Sequence, residues 1–165
     1  MAANLLILIA LSAGTLMGEP LRACLNDTAR LAAEVHRSLR AELARLLPGV
    51  EILPVCGARP LSTAKISFVA AAGRPQVLGS ALRDREKVLP VIEVYVSAVL
   101  SALDGRGDAH TFGRALARVA AHEAVHYFEQ RASHGRAGLL RPTFSGAELA
   151  LGHVSQFSWN RQGTD

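Results

Sequence analysis

Residues 21–55 read LRACLNDTARLAAEVHRSLRAELARLLPGVEILPV. Leu21 to Leu25 reads as a short strand, and Asn26-Asp27-Thr28 turns the chain after it. Val35, Leu39, Leu43, Leu46 and Leu47 then recur at helical spacing, with Arg37, Arg40, Glu42 and Arg45 between them. The pattern predicts a helix over 32–47, stopped by Pro48-Gly49. Val50 to Val55 is a second strand. A strand, a helix and a strand of these lengths imply a parallel pair joined by a right-handed crossover. The expected fold class is α/β.

The rest of the chain extends that pattern. AKISFVAA (64–71) is a third strand. QVLGSAL (76–82) is an edge strand with a glycine inside it, and VIEVYVS (91–97) is a fifth strand running into a short helical piece over 98–103. A mixed, mostly parallel sheet results. Gly105-Arg106-Gly107-Asp108 is a loop, and its R-G-D letters read as turn chemistry rather than an adhesive motif. Asp108 is placed to cap a helix over 109–131.

A length of 165 residues suits one domain with a sizeable core. Half the residues are hydrophobic and 19% are charged, which argues against disorder. The net charge is +4, carried by 16 Arg and 2 Lys that form no stripe, and aromatic residues are 5%. A nucleic-acid surface needs clustered cations and stacking rings, so that partner is not expected. Residues 1–18, MAANLLILIALSAGTLMG, hold a continuous apolar run from Leu5 to Leu11 followed by small residues. That is the layout of a signal peptide, leaving residues 19–165 as the domain. The mature chain is then expected to be secreted or periplasmic, with no stable membrane span. Export permits a disulfide between Cys24 and Cys56, the only two cysteines. Two free buried thiols fit the sequence as well.

Within the predicted helix over 109–131 lies His122-Glu123-Ala124-Val125-His126, an H-E-x-x-H pattern. Residues i and i+4 share a helix face, so two imidazoles at this spacing can hold one Zn²⁺ while the Glu reaches water beside it. Phe112, Leu116 and Val119 form an apolar stripe on the same face. The stripe turns polar where His122, Glu123 and His126 begin, which a purely structural helix would not need. A third ligand is required. Glu129, His134, Glu148 and His153 are the downstream candidates. Glu129 faces away from the two imidazoles. Ser145-Gly146-Ala147-Glu148 has the form of a capping box, which gives Glu148 a structural role, and His153 falls within the helix that box opens. His134 is preferred. Eight residues of continued helix would carry it about 12 Å past His126, so the chain must leave the helix near Arg131 to Ser133 and fold back. Gly135 would supply the flexible point.

The segment AAHEAVHYFEQRASHGRAGLLRPTFSGAEL resembles the motif region of zincin metalloproteases. It is most similar to small exported bacterial zincin-like proteins with an H-E-x-x-H-x7-H pattern. The strand-helix-strand unit over 21–56, VLGSAL and VIEVYV also resemble theirs, so the likeness covers most of residues 21–150. It implies an α/β zincin-like fold, Zn²⁺ on His122, His126 and His134, and Glu123 as general base. Three letters depart from the family pattern: Leu140 stands for its Met, Phe144 for its Trp, and Val125 for its Gly. The implied activity is zinc-dependent hydrolysis of a peptide or protein substrate. Zn²⁺ acidifies water and polarises the scissile carbonyl, while Glu123 moves the proton. Tyr95 and Tyr127 are further hydrogen-bonding candidates. The competing expectation is an exported zincin-fold domain that binds metal or a partner without turnover.

Overall fold

The computed structural model describes residues 20–57, 62–70 and 76–159. The expected signal peptide over 1–18 lies outside the described residues. Among these residues, five strands and four α-helices follow in the order β1 Leu21–Asp27, α1 Ala33–Leu46, β2 Val50–Leu53, β3 Thr63–Val69, β4 Gly79–Asp84, β5 Lys87–Tyr95, α2 Val96–Leu103, α3 Ala109–Phe128 and α4 Gly146–Leu151. The strands form one sheet in the order β2-β1-β3-β5-β4. The β1–β2, β1–β3 and β3–β5 pairs are parallel, and β4 runs antiparallel to β5 at one edge. The architecture is mixed α/β with a mostly parallel sheet, as the strand-helix-strand pattern implies.

Helix α1 buries Val35, Leu39, Leu43 and Leu46, the residues whose spacing announced it. It packs against α3 and β2, while α3 packs against β3, β4 and β5. The α1–α3 crossing is close because Gly113 stands at it. A Cβ there would lie 2.5 Å from the Val35 carbonyl oxygen and 2.8 Å from Ser38 Cβ. Beside the crossing, Arg118 of α3 is completely buried and Glu42 of α1 nearly so, and the guanidinium Nε donates to Glu42 at 2.9 Å. Its other nitrogens donate to the carbonyls of Glu148, Leu149 and Gly152, and Phe157 lies under its plane. One arginine thereby fixes α1, α3 and the end of α4 together.

Several boundaries differ from expectation for local reasons. β2 stops at Leu53, because Pro54 has no N–H for the ladder. β4 starts at Gly79 and continues to Asp84, and β5 begins at Lys87, so the two form a hairpin across Arg85-Glu86. Arg85 takes a positive φ of 54° in that turn, a conformation the sequence does not signal because no glycine or asparagine marks it. Cys24 and Cys56 form a disulfide, with Cα atoms 5.1 Å apart. Cys24 pairs with Leu53 in the β1–β2 register, so the bond ties the segment after β2 back to the middle of the sheet.

Candidate metal centre

Helix α3 carries the motif. Asp108 caps its start, accepting from the Thr111 amide at 2.9 Å. The helix ends at Phe128, three residues short of the expected Arg131. Its end is a Schellman turn: the Arg131 amide donates to His126 O at 3.0 Å and the Gln130 amide to Tyr127 O at 3.1 Å. Gln130 sits in the left-handed region at φ 48°. The reversal expected at Gly135 is therefore made at Gln130, and Gly135 is not among the residues with positive φ. Gly135 instead donates its amide to Leu140 O at 2.7 Å, pinning the loop that follows.

This reversal returns His134 to the face of α3 that holds the motif. The ring of His134 stacks near that of His122 with centroids 5.2 Å apart, and lies edge-on to His126 at 5.0 Å. One nitrogen from each of His122, His126 and His134 falls within 4.8 Å of the other two. The alternatives go elsewhere. Glu129 accepts from the Trp159 indole at 2.7 Å. Glu148 closes the capping box with Ser145, its Oε2 accepting from the Ser145 amide at 2.8 Å. His153 stands just beyond α4 rather than inside it, exposed, and caps a 3₁₀ turn over Val154–Phe157.

The tautomers of the two motif histidines are set by carbonyls. Nδ1 of His126 lies 2.6 Å from the Arg131 carbonyl oxygen, and Nδ1 of His122 meets the Leu139 carbonyl oxygen. A carbonyl only accepts, so both Nδ1 atoms carry hydrogen and both Nε2 atoms carry lone pairs. Those Nε2 atoms face each other at 3.2 Å. Two nitrogens held about 2.0–2.1 Å from one Zn²⁺ at the tetrahedral angle sit about 3.3 Å apart. Burial lowers the pKa of His122 to about 4 and that of His126 in the same direction, so neither supplies a bridging proton at neutral pH. Two lone pairs at this distance repel unless a cation lies between them. The donor set fits a divalent metal on three imidazoles.

Glu123 stands beside the triad, its Oε1 4.0 Å from His122 Nε2. That gap is too long for a direct hydrogen bond and leaves room for a water. Burial pushes the Glu123 carboxyl up to about 7, against a hydrogen bond from the Ala81 amide that favours the charged form. The approach of β4 to Glu123 depends on Gly79. A Cβ at that position would lie 2.9 Å from Val119 Cγ1 and 3.2 Å from Glu123 Cγ. The glycine inside the edge strand is the sequence signal for this close passage. A cleft of about 400 Å³ opens between β4, α3 and the segment Pro142–Phe144, with the three histidines and Glu123 in its lining. Phe144 presents its ring edge-on to His122, with centroids 5.8 Å apart. Tyr127 and Tyr95 do not line the cleft: Tyr127 donates to Ser62 O at 3.1 Å, and Tyr95 to Glu93 at 3.0 Å.

Compared with known proteins, the chain matches no family model, no curated protein and no solved structure. Sequence reasoning did not find the Leu139 and Arg131 carbonyls, nor the Ala81 amide. Main-chain groups leave no trace in side-chain spacing.

Proposed function

We propose that this chain is an exported, zincin-like zinc metallopeptidase. The observation that carries the reading is the pair of Nε2 lone pairs of His122 and His126 at 3.2 Å, with His134 beside them and Glu123 poised at the same point. Three imidazoles and no fourth protein ligand among the described residues would suit a catalytic rather than a closed structural zinc site. A bound Zn²⁺ would supply Lewis acidity, making water a nucleophile at neutral pH and polarising a peptide carbonyl. The chain's own residues do the rest. His122, His126 and His134 hold the metal, with the Leu139 and Arg131 carbonyls orienting the first two. Glu123 takes the proton from the attacking water and delivers it to the leaving amine. A carboxyl whose pKa stands at about 7 without metal is suited to exchange a proton near neutrality. The edge strand β4 forms one wall of the cleft, where an extended peptide could lie.

The zincin-like reading is further supported by the mixed sheet with its antiparallel edge strand beside the motif helix. The disulfide Cys24–Cys56 supports an oxidising compartment and therefore export. No helix among the described residues is long and apolar enough to cross a membrane.

The test is metal analysis of the purified protein together with turnover of a mixed peptide library. The expected result is about one equivalent of zinc per chain and cleavage that Glu123→Gln abolishes while the zinc stays bound. Zinc without any cleavage would identify a metal-binding domain that has no turnover. Absence of metal after refolding in excess zinc would refute the site itself.

A further inference from the structure

Among the described residues lining the cleft, Arg83 is the only lysine or arginine. It lies on β4, two residues beyond Ala81, whose amide meets Glu123. The β4–β5 register shifts between Ala81 and Arg83, so the two backbones lie at most about 7 Å apart and Arg83 stands one to two peptide units from the reacting end of the cleft. Its side chain crosses from β4 to the loop that carries His134, where Nη2 donates to Ala132 O at 3.3 Å. One N–H of five is thereby engaged; no other hydrogen bond of the guanidinium is found among the described residues, while its charge acts on Glu123 and His126. The remaining walls are neutral: Val77, Leu78, Pro142 and Phe144 are apolar, while Ser80 and Thr143 are uncharged. Among the described lining residues Glu123 is the one acidic side chain, so a site holding a divalent ion would have an excess of positive charge.

We propose that Arg83 is a specificity-determining residue that binds a carboxylate of the substrate within two residues of the scissile bond. The inference rests on the metallopeptidase reading above. A guanidinium is matched to a carboxylate because its planar fork can give two parallel N–H donors. The bond to Ala132 O holds the head over the cleft and leaves part of the fork free. Two sources carry the same chemistry: the terminal carboxylate of a peptide, or the side chain of an Asp or Glu beside the cleaved bond.

Three short peptide hydroxamates separate these sources on the zinc-loaded chain by calorimetry. The first ends in a free carboxylate and has neutral side chains. The second has the same side chains and a terminal carboxamide. The third ends in a carboxamide and carries one glutamate. One or both acidic probes should bind about 10- to 100-fold more tightly than the neutral probe, as expected of hydrogen bonds to a charged group. Which of the two gains identifies the source. Arg83→Ala should erase the difference while leaving zinc content and affinity for the neutral probe unchanged, and Arg83→Lys should restore part of it. Equal binding of all three probes, or an acidic preference that survives Arg83→Ala, would overturn the role of Arg83 alone. Failure of all three hydroxamates to bind would overturn the metal site and this inference with it.

Discussion

The Nδ1 atom of His126 lies 2.6 Å from the carbonyl oxygen of Arg131, five residues on. The same peptide segment closes the helix, because the Arg131 amide donates to His126 O at 3.0 Å. Helix termination and ligand orientation are thus one structural event, and it hinges on Gln130 at φ 48°. A β-branched residue in the left-handed region is strained by about 1–2 kcal/mol. Gln130→Val should therefore shift the Arg131 carbonyl from His126. Zinc affinity, measured by chelator competition, should fall about 10- to 100-fold although His122, His126 and His134 are unchanged.

Glu123 supplies a prediction with a definite sign. Its carboxyl is raised from an ordinary value to about 7 by burial. Between those values the folded metal-free chain binds a proton that the unfolded chain has released, so stability falls as pH rises through the window. Glu123→Gln removes that penalty. In urea denaturation at pH 8, the metal-free variant should be more stable than the parent by on the order of 1–3 kcal/mol, with the advantage shrinking toward pH 5.

The sign for His122 is the opposite. Burial depresses its pKa to about 4. The unfolded chain takes up a proton near pH 6.5, where the folded chain does not. The stability of the metal-free protein should thus be undiminished above about 6.5 and decline as pH falls toward the folded value. His122→Asn should flatten that decline when denaturation midpoints are compared between pH 7 and pH 4.5.

His134 and Glu148 should respond to substitution in different ways. His134→Ala removes a member of the triad and should weaken zinc binding sharply, with the fold kept. Glu148 bonds Ser145 and Arg141, and these hydrogen bonds hold its carboxyl down to about 2. Glu148→Ala should cost about 1 kcal/mol and leave the metal in place. The contribution of Glu148 should be present above the ordinary carboxylate range and fade as pH drops toward its folded value.

Arg118 tests the frame that presents the motif. Arg118→Ala would strip buried Glu42 of its close partner, leaving only Arg114 and Arg45 at 3.9 Å, and would remove one donor from each of three carbonyls. The loss should be about 3–5 kcal/mol in chemical denaturation. Replacing the pair together, Arg118→Met with Glu42→Leu, should recover much of it, because the buried carboxylate is then removed with its close partner.

Much of this protein is written in local periodicity. The spacing of Val35, Leu39, Leu43 and Leu46 fixes α1, and the apolar strand segments around it fix a parallel sheet. His122 and His126 converge because an α-helix places i and i+4 on one face. Asp108 and the Ser145–Glu148 box mark helix starts, since their side chains bond amides three residues away. Tertiary structure decided the rest, for reasons that sequence distance hides. The Cys24–Cys56 bond required β1 and β2 in register, and the β4–β5 hairpin required Arg85 in a conformation that its residue type disfavours. Gln130, rather than the more permissive Gly135, turns the chain because the helix end there can satisfy its own carbonyls. The two Nε2 lone pairs face one another because carbonyls of Arg131 and Leu139 take the Nδ1 hydrogens. Side-chain patterning sets which residues can share a face, whereas main-chain carbonyls brought in by folding set which nitrogen of each ring a metal would meet.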